Sequence, residues 1–303
     1  MKSTRTMNDA KPTKTKIPPH QDKILHGVAF ACTAFFCFTV MSAMNKLLTG
    51  QHHVMEIVFY RNLLAIIPCC AYIVITHKYH LLKTGQPFTL ALRVTIGTIG
   101  LYLTFAAVQE LPMANATVLF FMSTLLIPVL AHFFLKEYIG IHRWIAVAIG
   151  LTGVIIVAQP SPNVTAIGVT MALGAATCHG CMQVLLRALK SQNAFTITFY
   201  FFVGGVIVPG LFMPWVATTP TPESAFVMLG IGISGGLGQL FLTLAFQRAP
   251  ASLLGPFNYT GLIWATGFDI WIWHIAPGWP VFIGTAIIIA SNLYILHREH
   301  KKL

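Results

Sequence analysis

The sequence predicts an all-α membrane protein with ten transmembrane helices, arranged as two inverted five-helix repeats. Hydrophobic residues make up 56% of its 303 residues and charged residues only 9%, whereas a soluble domain carries about 25% charged residues. The apolar residues come in runs of about 20, the length that crosses a hydrocarbon core of roughly 30 Å. Because these runs are apolar on all faces, a large soluble enzyme with an amphipathic shell is excluded.

The ten apolar runs follow a polar, basic tail over residues 1–23, which we expect to be disordered. The first run is longer than the core of a signal peptide, so we expect it to be retained as a helix. Only helices and closed barrels satisfy their backbone groups in lipid, and continuous runs of this length predict helices. The predicted spans are 24–48, 55–76, 88–108, 112–135, 141–158, 164–188, 194–217, 223–247, 250–273 and 278–296, followed by a short tail, 297–303.

The positive charges predict the orientation, because Lys and Arg concentrate in cytoplasmic connections. They lie in the N-terminal tail, after the second, fourth, sixth and eighth spans, and after the tenth. The connections after the odd-numbered spans contain none, although Lys46 borders the first. We therefore expect both termini in the cytoplasm, in a bacterial inner (plasma) membrane. The net charge of +11 then reflects topology and does not indicate a nucleic-acid partner.

An internal echo divides the chain into two halves, 24–158 and 164–296. The segment 109–112, Gln-Glu-Leu-Pro, precedes the fourth span, and the segment 247–250, Gln-Arg-Ala-Pro, precedes the ninth, at an offset of 138 residues. Each half then holds five helices, and an odd number places the halves in opposite orientations. Inverted repeats suit alternating access, with a site between the halves near the membrane midplane.

Several motifs resemble the EamA family of the drug/metabolite transporter superfamily, over nearly the whole chain after the tail. The resemblance rests on segment 111–117 (LPMANAT), Glu56, Pro128, segment 135–137 (LKE), Arg143, Trp144, Pro250, Tyr259, Trp264 and segment 289–294 (IASNLY). It implies a ten-helix transporter of small organic molecules, an exporter or an importer. One departure is Ile275, which stands where the first half has Glu137.

Charged residues inside the spans are the first candidates for function, because each costs of order 3 kcal/mol or more at the bilayer centre. Arg61 lies about two turns into the second span, and Asp269 lies near the outer end of the ninth. We predict that Arg61 pairs with Asp269 or Glu56, or that it attracts an anionic group of a substrate. A structural ion pair or a snorkelling side chain is the alternative for Lys46 and Glu56, and Arg93 is expected to snorkel.

Polar and aromatic residues near mid-membrane complete the predicted substrate pathway. His179 either relays protons or contacts substrate, with an interhelical hydrogen bond as the alternative. Cys178 and Cys181 beside it lack a second ligand pair, so we expect packing and no metal site. The aromatic residues 199–202 can stack on a flat substrate, with lipid contact as the alternative. The other predicted pathway residues are Gln183, Gln239, Asn258, Tyr259 and Trp264.

These features favour a secondary transporter of a small organic metabolite over a membrane-embedded enzyme or a sensor. An enzyme would need a cluster of catalytic acids, and the few acids here are scattered; a sensor would need an appended soluble domain. The glycines of segment 230–235 match G-x-G-x-x-G by accident, because no strand precedes them. We expect neither cofactor nor metal. The expected partners are the lipid bilayer and a substrate, with amino acids, S-adenosylmethionine-like metabolites, riboflavin-like cofactors and drugs as candidates, and a homodimer is left open.

Overall fold

The computed structural model describes residues 24–135, 141–159, 162–189, 192–248 and 255–300, which form helices and short connections. Two short 3₁₀ turns lie at Tyr79–Leu82 and Gly255–Tyr259. The α-helices are α1 (Ile24–Leu47), α2 (Val54–Thr76), α3 (Pro87–Glu110), α4 (Met113–Phe120), α5 (Met122–Leu135), α6 (Ile141–Val157), α7 (Ala166–Ala188), α8 (Ala194–Val216), α9 (Pro222–Arg248), α10 (Thr260–Ile272) and α11 (Trp279–His300). An all-α architecture is therefore confirmed for this part of the chain.

The long helices have the composition of membrane spans. Within the described ranges, six helices are long and apolar enough to cross a membrane, namely α1, α2, α3, α7, α8 and α9. Shorter apolar helical stretches occur at Met113–Ile127, in α6 and in α11. A chain with this many apolar helices of spanning length is an integral membrane protein.

Two of the predicted spans are not single α-helices. The predicted span 112–135 is interrupted at Phe121, where α4 ends and α5 begins. The amide of Phe121 donates to the carbonyls of both Thr117 and Val118, which is the tightened geometry of a final 3₁₀-type turn. The predicted span 250–273 is a 3₁₀ turn up to Tyr259 and then α10, while its residues 250–254 lie outside the described ranges.

The two interruptions meet inside the bundle. The rings of Phe121 and Tyr259 contact edge to face, with centroids 4.8 Å apart and an interplanar angle of 90°. This is a favourable arrangement for an aromatic pair. The end of α4 is thereby joined to the start of α10.

The helices associate in pairs along their lengths. Helix α1 packs along α9 and α3 packs along α7, while α2 packs on α8 and α6 on α11. Small residues permit close approach at these contacts. A Cβ atom added to Gly153 of α6 would lie 2.8 Å from the carbonyl oxygen of Gly284 in α11, and one added to Gly238 of α9 would lie 2.8 Å from the Phe38 ring.

The largest apolar core lies toward one face of the bundle and joins both halves of the chain. It gathers Leu111, Leu119 and Val157 from the first half with Ala172 and Ile288 from the second. Helices α1 and α3 end at this face, while α4, α7 and α11 begin there, and we call it the Lys46 face. Toward the opposite face, the buried clusters among the described residues are small and local, such as the one around Ala31 and Ala245.

Candidate functional site

Among the residues that the structure describes, four charged side chains are buried inside the bundle, two carboxylates and two guanidinium groups. Asp269 is 1% exposed and accepts hydrogen bonds through both carboxylate oxygens, whereas Glu56 is 0% exposed and accepts through Oε2 only, its Oε1 having no donor. Arg61 and Arg93 are 2% and 5% exposed; one guanidinium nitrogen of Arg61 and two of Arg93 have no acceptor. This difference decides how each group is interpreted, because a buried charge is costly unless it is paired and hydrogen-bonded.

Asp269 of α10 caps the start of α4. Its Oδ1 accepts from the backbone N–H of Met113 at 2.9 Å, and its Oδ2 accepts from that of Ala114 at 2.7 Å. The first N–H groups of a helix have no intrahelical acceptor, and the helix dipole favours a negative charge there. Asp269 therefore holds the second half of the chain against the first at the Lys46 face.

Lys46 completes this arrangement from the end of α1. Its Nζ lies 3.7 Å from Asp269 Oδ1, donates to the Leu111 carbonyl at 2.6 Å and lies 5.0 Å from the centroid of the Trp273 ring. We call Lys46, Asp269 and the start of α4 the Asp269 cluster. The structural ion pair predicted as the alternative for Lys46 is confirmed. The predicted pairing of Arg61 with Asp269 is wrong, because the lysine and the helix start occupy this carboxylate.

The carboxylate of Glu56 on α2 also makes a contact between the two halves of the chain. Its Oε2 lies 3.0 Å from His52 Nδ1 and accepts from the Thr218 hydroxyl at 3.1 Å. Thr218 follows α8, so this contact also joins the two halves. The alternative pairing, Arg61 with Glu56, is therefore wrong as well, because Glu56 takes its partners from its own turn and from the segment after α8.

Arg61 lies in the interior without a carboxylate beside it in the described part of the chain. Its Nη1 donates to Asn62 Oδ1 at 2.8 Å, while its Nε has no acceptor. The guanidinium Cζ lies 5.8 Å and 5.4 Å from the ring centroids of Phe201 and Phe202. Such cation–π contacts contribute roughly 0.5–2 kcal/mol each, which is less than the several kcal/mol needed to bury the charge.

A glycine makes room for this guanidinium. A Cβ atom added to Gly235 of α9 would lie 2.9 Å from Arg61 Nε and 2.8 Å from Met41 Sδ. Close packing at this glycine of α9 thus involves the arginine side chain. The Nε of Arg61 therefore packs against α9 at this glycine and has no hydrogen-bond acceptor there.

Arg93 of α3 differs most from its prediction. A snorkelling side chain would place its head group in water, yet Arg93 is buried and its Nε and Nη1 have no acceptor. Its Cζ lies 5.0 Å from the centroid of the Phe201 ring. The snorkelling prediction is wrong because α3 packs against both α7 and α8, which enclose the side chain on its way to the surface. We call Arg61 and Arg93 the arginine pair.

His179 of α7 faces α3. Its Nε2 lies 3.4 Å from the Thr104 hydroxyl, and its ring centroid lies 6.4 Å from that of Phe120. A Cβ atom added to Gly100 would lie 3.4 Å from the imidazole. The histidine thus makes the interhelical contact that was the structural alternative to a proton relay.

The remaining predicted pathway residues do not form one group. Tyr259 contacts Phe121, and Asn258 is half-buried in the same 3₁₀ turn. Gln239 is half-buried on α9, and Gln183 is exposed on α7. Trp264 is 43% exposed and packs edge-on against Phe36 of α1 at 5.0 Å. In the described ranges, no group of three or more His, Cys, Asp or Glu residues could hold a metal ion.

The structure therefore brings Arg61 together with Arg93 and Phe201, and sets Asp269 apart from them. Sequence reasoning missed the role of Arg93 in this group. The signal was present, because a single cation in the apolar run 88–108 carries the same cost that drew attention to Arg61.

The known proteins that this chain resembles are named as transporters. The profile described as "EamA-like transporter family" matches residues 25–159 and 166–296. An "Uncharacterized transporter" of Helicobacter pylori is 29% identical over 93% of this chain and 100% of the relative. A "Pseudopaline exporter" of Pseudomonas aeruginosa is 27% identical over 89% and 95%, and an "S-adenosylmethionine uptake transporter" of Rickettsia prowazekii is 24% identical over 92% and 95%.

The fold is also found among solved structures. One crystal structure matches with a TM-score of 0.63 at 15% identity, covering 89% of this chain and 96% of the other. At this identity the likeness concerns the fold alone. The family match covers nearly the whole described chain in two blocks, one for each half. The chain therefore belongs to the EamA-like transporter family.

Proposed function

We propose that the chain is a secondary transporter of a small organic metabolite in a bacterial inner membrane. It crosses the membrane ten times, with α4 and α5 forming one interrupted span and the 3₁₀ turn at Gly255–Tyr259 with α10 forming another. Its two halves are inverted repeats, and both termini face the cytoplasm, as the distribution of Lys and Arg favours.

The observation that carries this proposal is the symmetry of helix packing. A shift of 138 residues relates α1 to α7, α2 to α8, α3 to α9 and α6 to α11. Exchanging the halves turns the α1–α9 pair into the α7–α3 pair, and both pairs exist. The α2–α8 and α6–α11 pairs map onto themselves, and Phe121 maps onto its own contact partner Tyr259. Such self-consistent packing is expected of two repeats around a pseudo-two-fold axis.

The uneven packing of the two faces supports alternating access. At the Lys46 face, the apolar core and the Asp269 cluster hold both halves together. We propose that this is the periplasmic face, closed in the conformation described here. Release of the Asp269 cluster then opens it, while the halves close on the opposite side.

The substrate pathway lies between the halves, near Arg61. An unpaired N–H of a buried guanidinium favours an anionic substrate group, and the aromatic residues beside it exclude water. We propose His179, Gln239, Asn258 and Tyr259 as further pathway residues, Gln183 and Trp264 as contacts outside the buried part, and Asp269 as part of the closing contact. The relatives include an exporter and an uptake transporter named for different compounds, so direction and substrate must be measured.

Counterflow in proteoliposomes tests the proposal. Vesicles containing the purified protein are loaded with amino acids, S-adenosylmethionine, riboflavin-like cofactors or drugs, and the entry of the same labelled compound is followed. We expect one class to exchange, and Arg61→Ala to lower its rate at least about tenfold. Lys78→Ala, which removes an exposed cation near Tyr72, is the matched control and should exchange normally. No exchange by any class, with protein that melts cooperatively, would overturn the proposal.

A further inference from the structure

The arginine pair indicates what kind of substrate the pathway accepts. We propose that the substrate is an organic anion with at least two acidic groups, one held by Arg61 and the other by Arg93. The inference rests on the proposed transport function and deepens it by naming the substrate class.

Both guanidinium groups lie beside one aromatic ring. The Cζ of Arg61 lies 5.8 Å from the centroid of the Phe201 ring, and that of Arg93 lies 5.0 Å from the same centroid. The sum of these two distances is an upper limit on the separation of the two Cζ atoms. A single small molecule with an acidic group at each end can therefore reach both.

The two arginines approach Phe201 from opposite faces of the membrane. Arg61 lies about two turns after the start of α2, and Arg93 lies about two turns after the start of α3. Helices α2 and α3 are consecutive and run in opposite directions. Their cationic head groups nevertheless converge on one side chain of α8, although like charges repel strongly in a medium of low dielectric constant.

The donors left free match carboxylate or phosphate oxygens. The Nε of Arg61 and the Nε and Nη1 of Arg93 are buried without an acceptor. Among the buried carboxylates of the described chain, Asp269 is bound through both oxygens and Glu56 through Oε2, in each case by groups other than the arginines. A guanidinium presents its N–H groups as a planar fork that suits two oxygens of one acidic group. Two such forks around one ring fit two acidic groups, whereas a monoanion would leave one arginine unpaired.

Ligand binding tests this class directly. The melting temperature of the purified protein in detergent is measured with succinate, glutarate and citrate, and with butyrate and valerate as monocarboxylates of matched length. We expect the acids with two or more carboxylates to bind at least about tenfold more tightly, as the loss of one charged contact implies. Arg61→Gln and Arg93→Gln should each remove this preference. Wild-type protein that binds no member of the first group more tightly than the second overturns the proposal.

A second test needs no ligand. Phe201→Glu places a carboxylate between the two arginines, and Phe201→Gln is its neutral control of similar shape. We expect the Glu variant to melt at a higher temperature than the Gln variant, because it supplies the missing negative charge. This advantage should shrink when Arg93→Gln is added. A Glu variant that melts at or below the temperature of the Gln variant would mean that the arginines are already neutralised, and would overturn the proposal.

The two proposals fail in different ways. Counterflow of a neutral or monoanionic compound that is unaffected by both arginine variants leaves transport standing and overturns the dianion. Tight, arginine-dependent binding of a dicarboxylate without counterflow of any compound supports the anion site and overturns transport.

Discussion

The Asp269 cluster and the arginine pair bury charge in the same bundle with opposite outcomes. In the cluster, one carboxylate meets an ammonium group and two helix N–H groups, so each charge has a complement. In the arginine pair, two cations share one aromatic ring and keep donors without acceptors. The comparison separates a charge group whose members complement one another, and which holds helices together, from a pair of cations that we propose to be complemented by a ligand.

The largest expected effect is on stability at the Asp269 cluster. Asp269→Ala leaves Lys46, whose side chain is 10% exposed, without its carboxylate and uncaps α4, which should lower the free energy of unfolding by about 3–5 kcal/mol. Chemical denaturation in detergent measures this loss. Asp269→Asn should lose less, because the amide oxygen can still accept an N–H of α4. An Ala variant as stable as wild type would show that the cluster does not hold the halves together.

Removing a charge from the arginine pair should have the opposite effect on stability. Arg93→Gln removes an uncompensated charge, so we expect the free energy of unfolding to stay the same or rise. Substrate affinity should fall by about 1.5–3 kcal/mol, the value of a hydrogen bond to a charged group. Denaturation and binding are measured on one preparation. A variant that loses stability but keeps its affinity would assign Arg93 to the structural class and remove the contrast.

Two adjacent glycines of α9 provide a matched test of the position of Arg61, because only one of them contacts it. A Cβ atom on Gly235 would crowd Arg61 Nε, whereas one on Gly236 would meet only Ala65 at 3.9 Å. Gly235→Ala should therefore cost about 1–3 kcal/mol by overpacking and reduce counterflow. Gly236→Ala should be neutral, or stabilise by up to about 1 kcal/mol through lower chain entropy. Equal counterflow rates for the two variants would contradict the assigned position of Arg61.

The smallest effect is expected at Glu56. Thr218→Val removes the hydroxyl that donates to Glu56 at 3.1 Å and leaves His52 in place. We expect a loss of about 0.5–1.5 kcal/mol in unfolding free energy and an unchanged counterflow rate. Thermal melting detects the first quantity and the proteoliposome assay the second. A large loss of transport would place Glu56 among the substrate contacts.

Local properties of the chain were predictable, and long-range pairings were not. Apart from the two interrupted spans, the helices of the described chain lie within a few residues of the apolar runs, because spanning length and apolar composition are local properties of each segment. The partner of Asp269 is a helix start 156 residues away, and no local pattern indicates it. Arg93 was misread for the same reason, since its burial depends on Phe201 of α8. The interruption at Phe121 has no glycine or proline to mark it.

The contact between Phe121 and Tyr259 has a consequence for how the motion can be followed. Under the proposed symmetry, each residue is the counterpart of the other, so their contact is unchanged when the two halves exchange conformations. Under the proposed exchange, this contact stays in place while the helices on either side of it move. A pair of spectroscopic labels near this point should report the same distance in the two end states of the transport cycle. Labels on α1 and α10 at the Lys46 face should report two different distances, one when this face is closed and one when it is open.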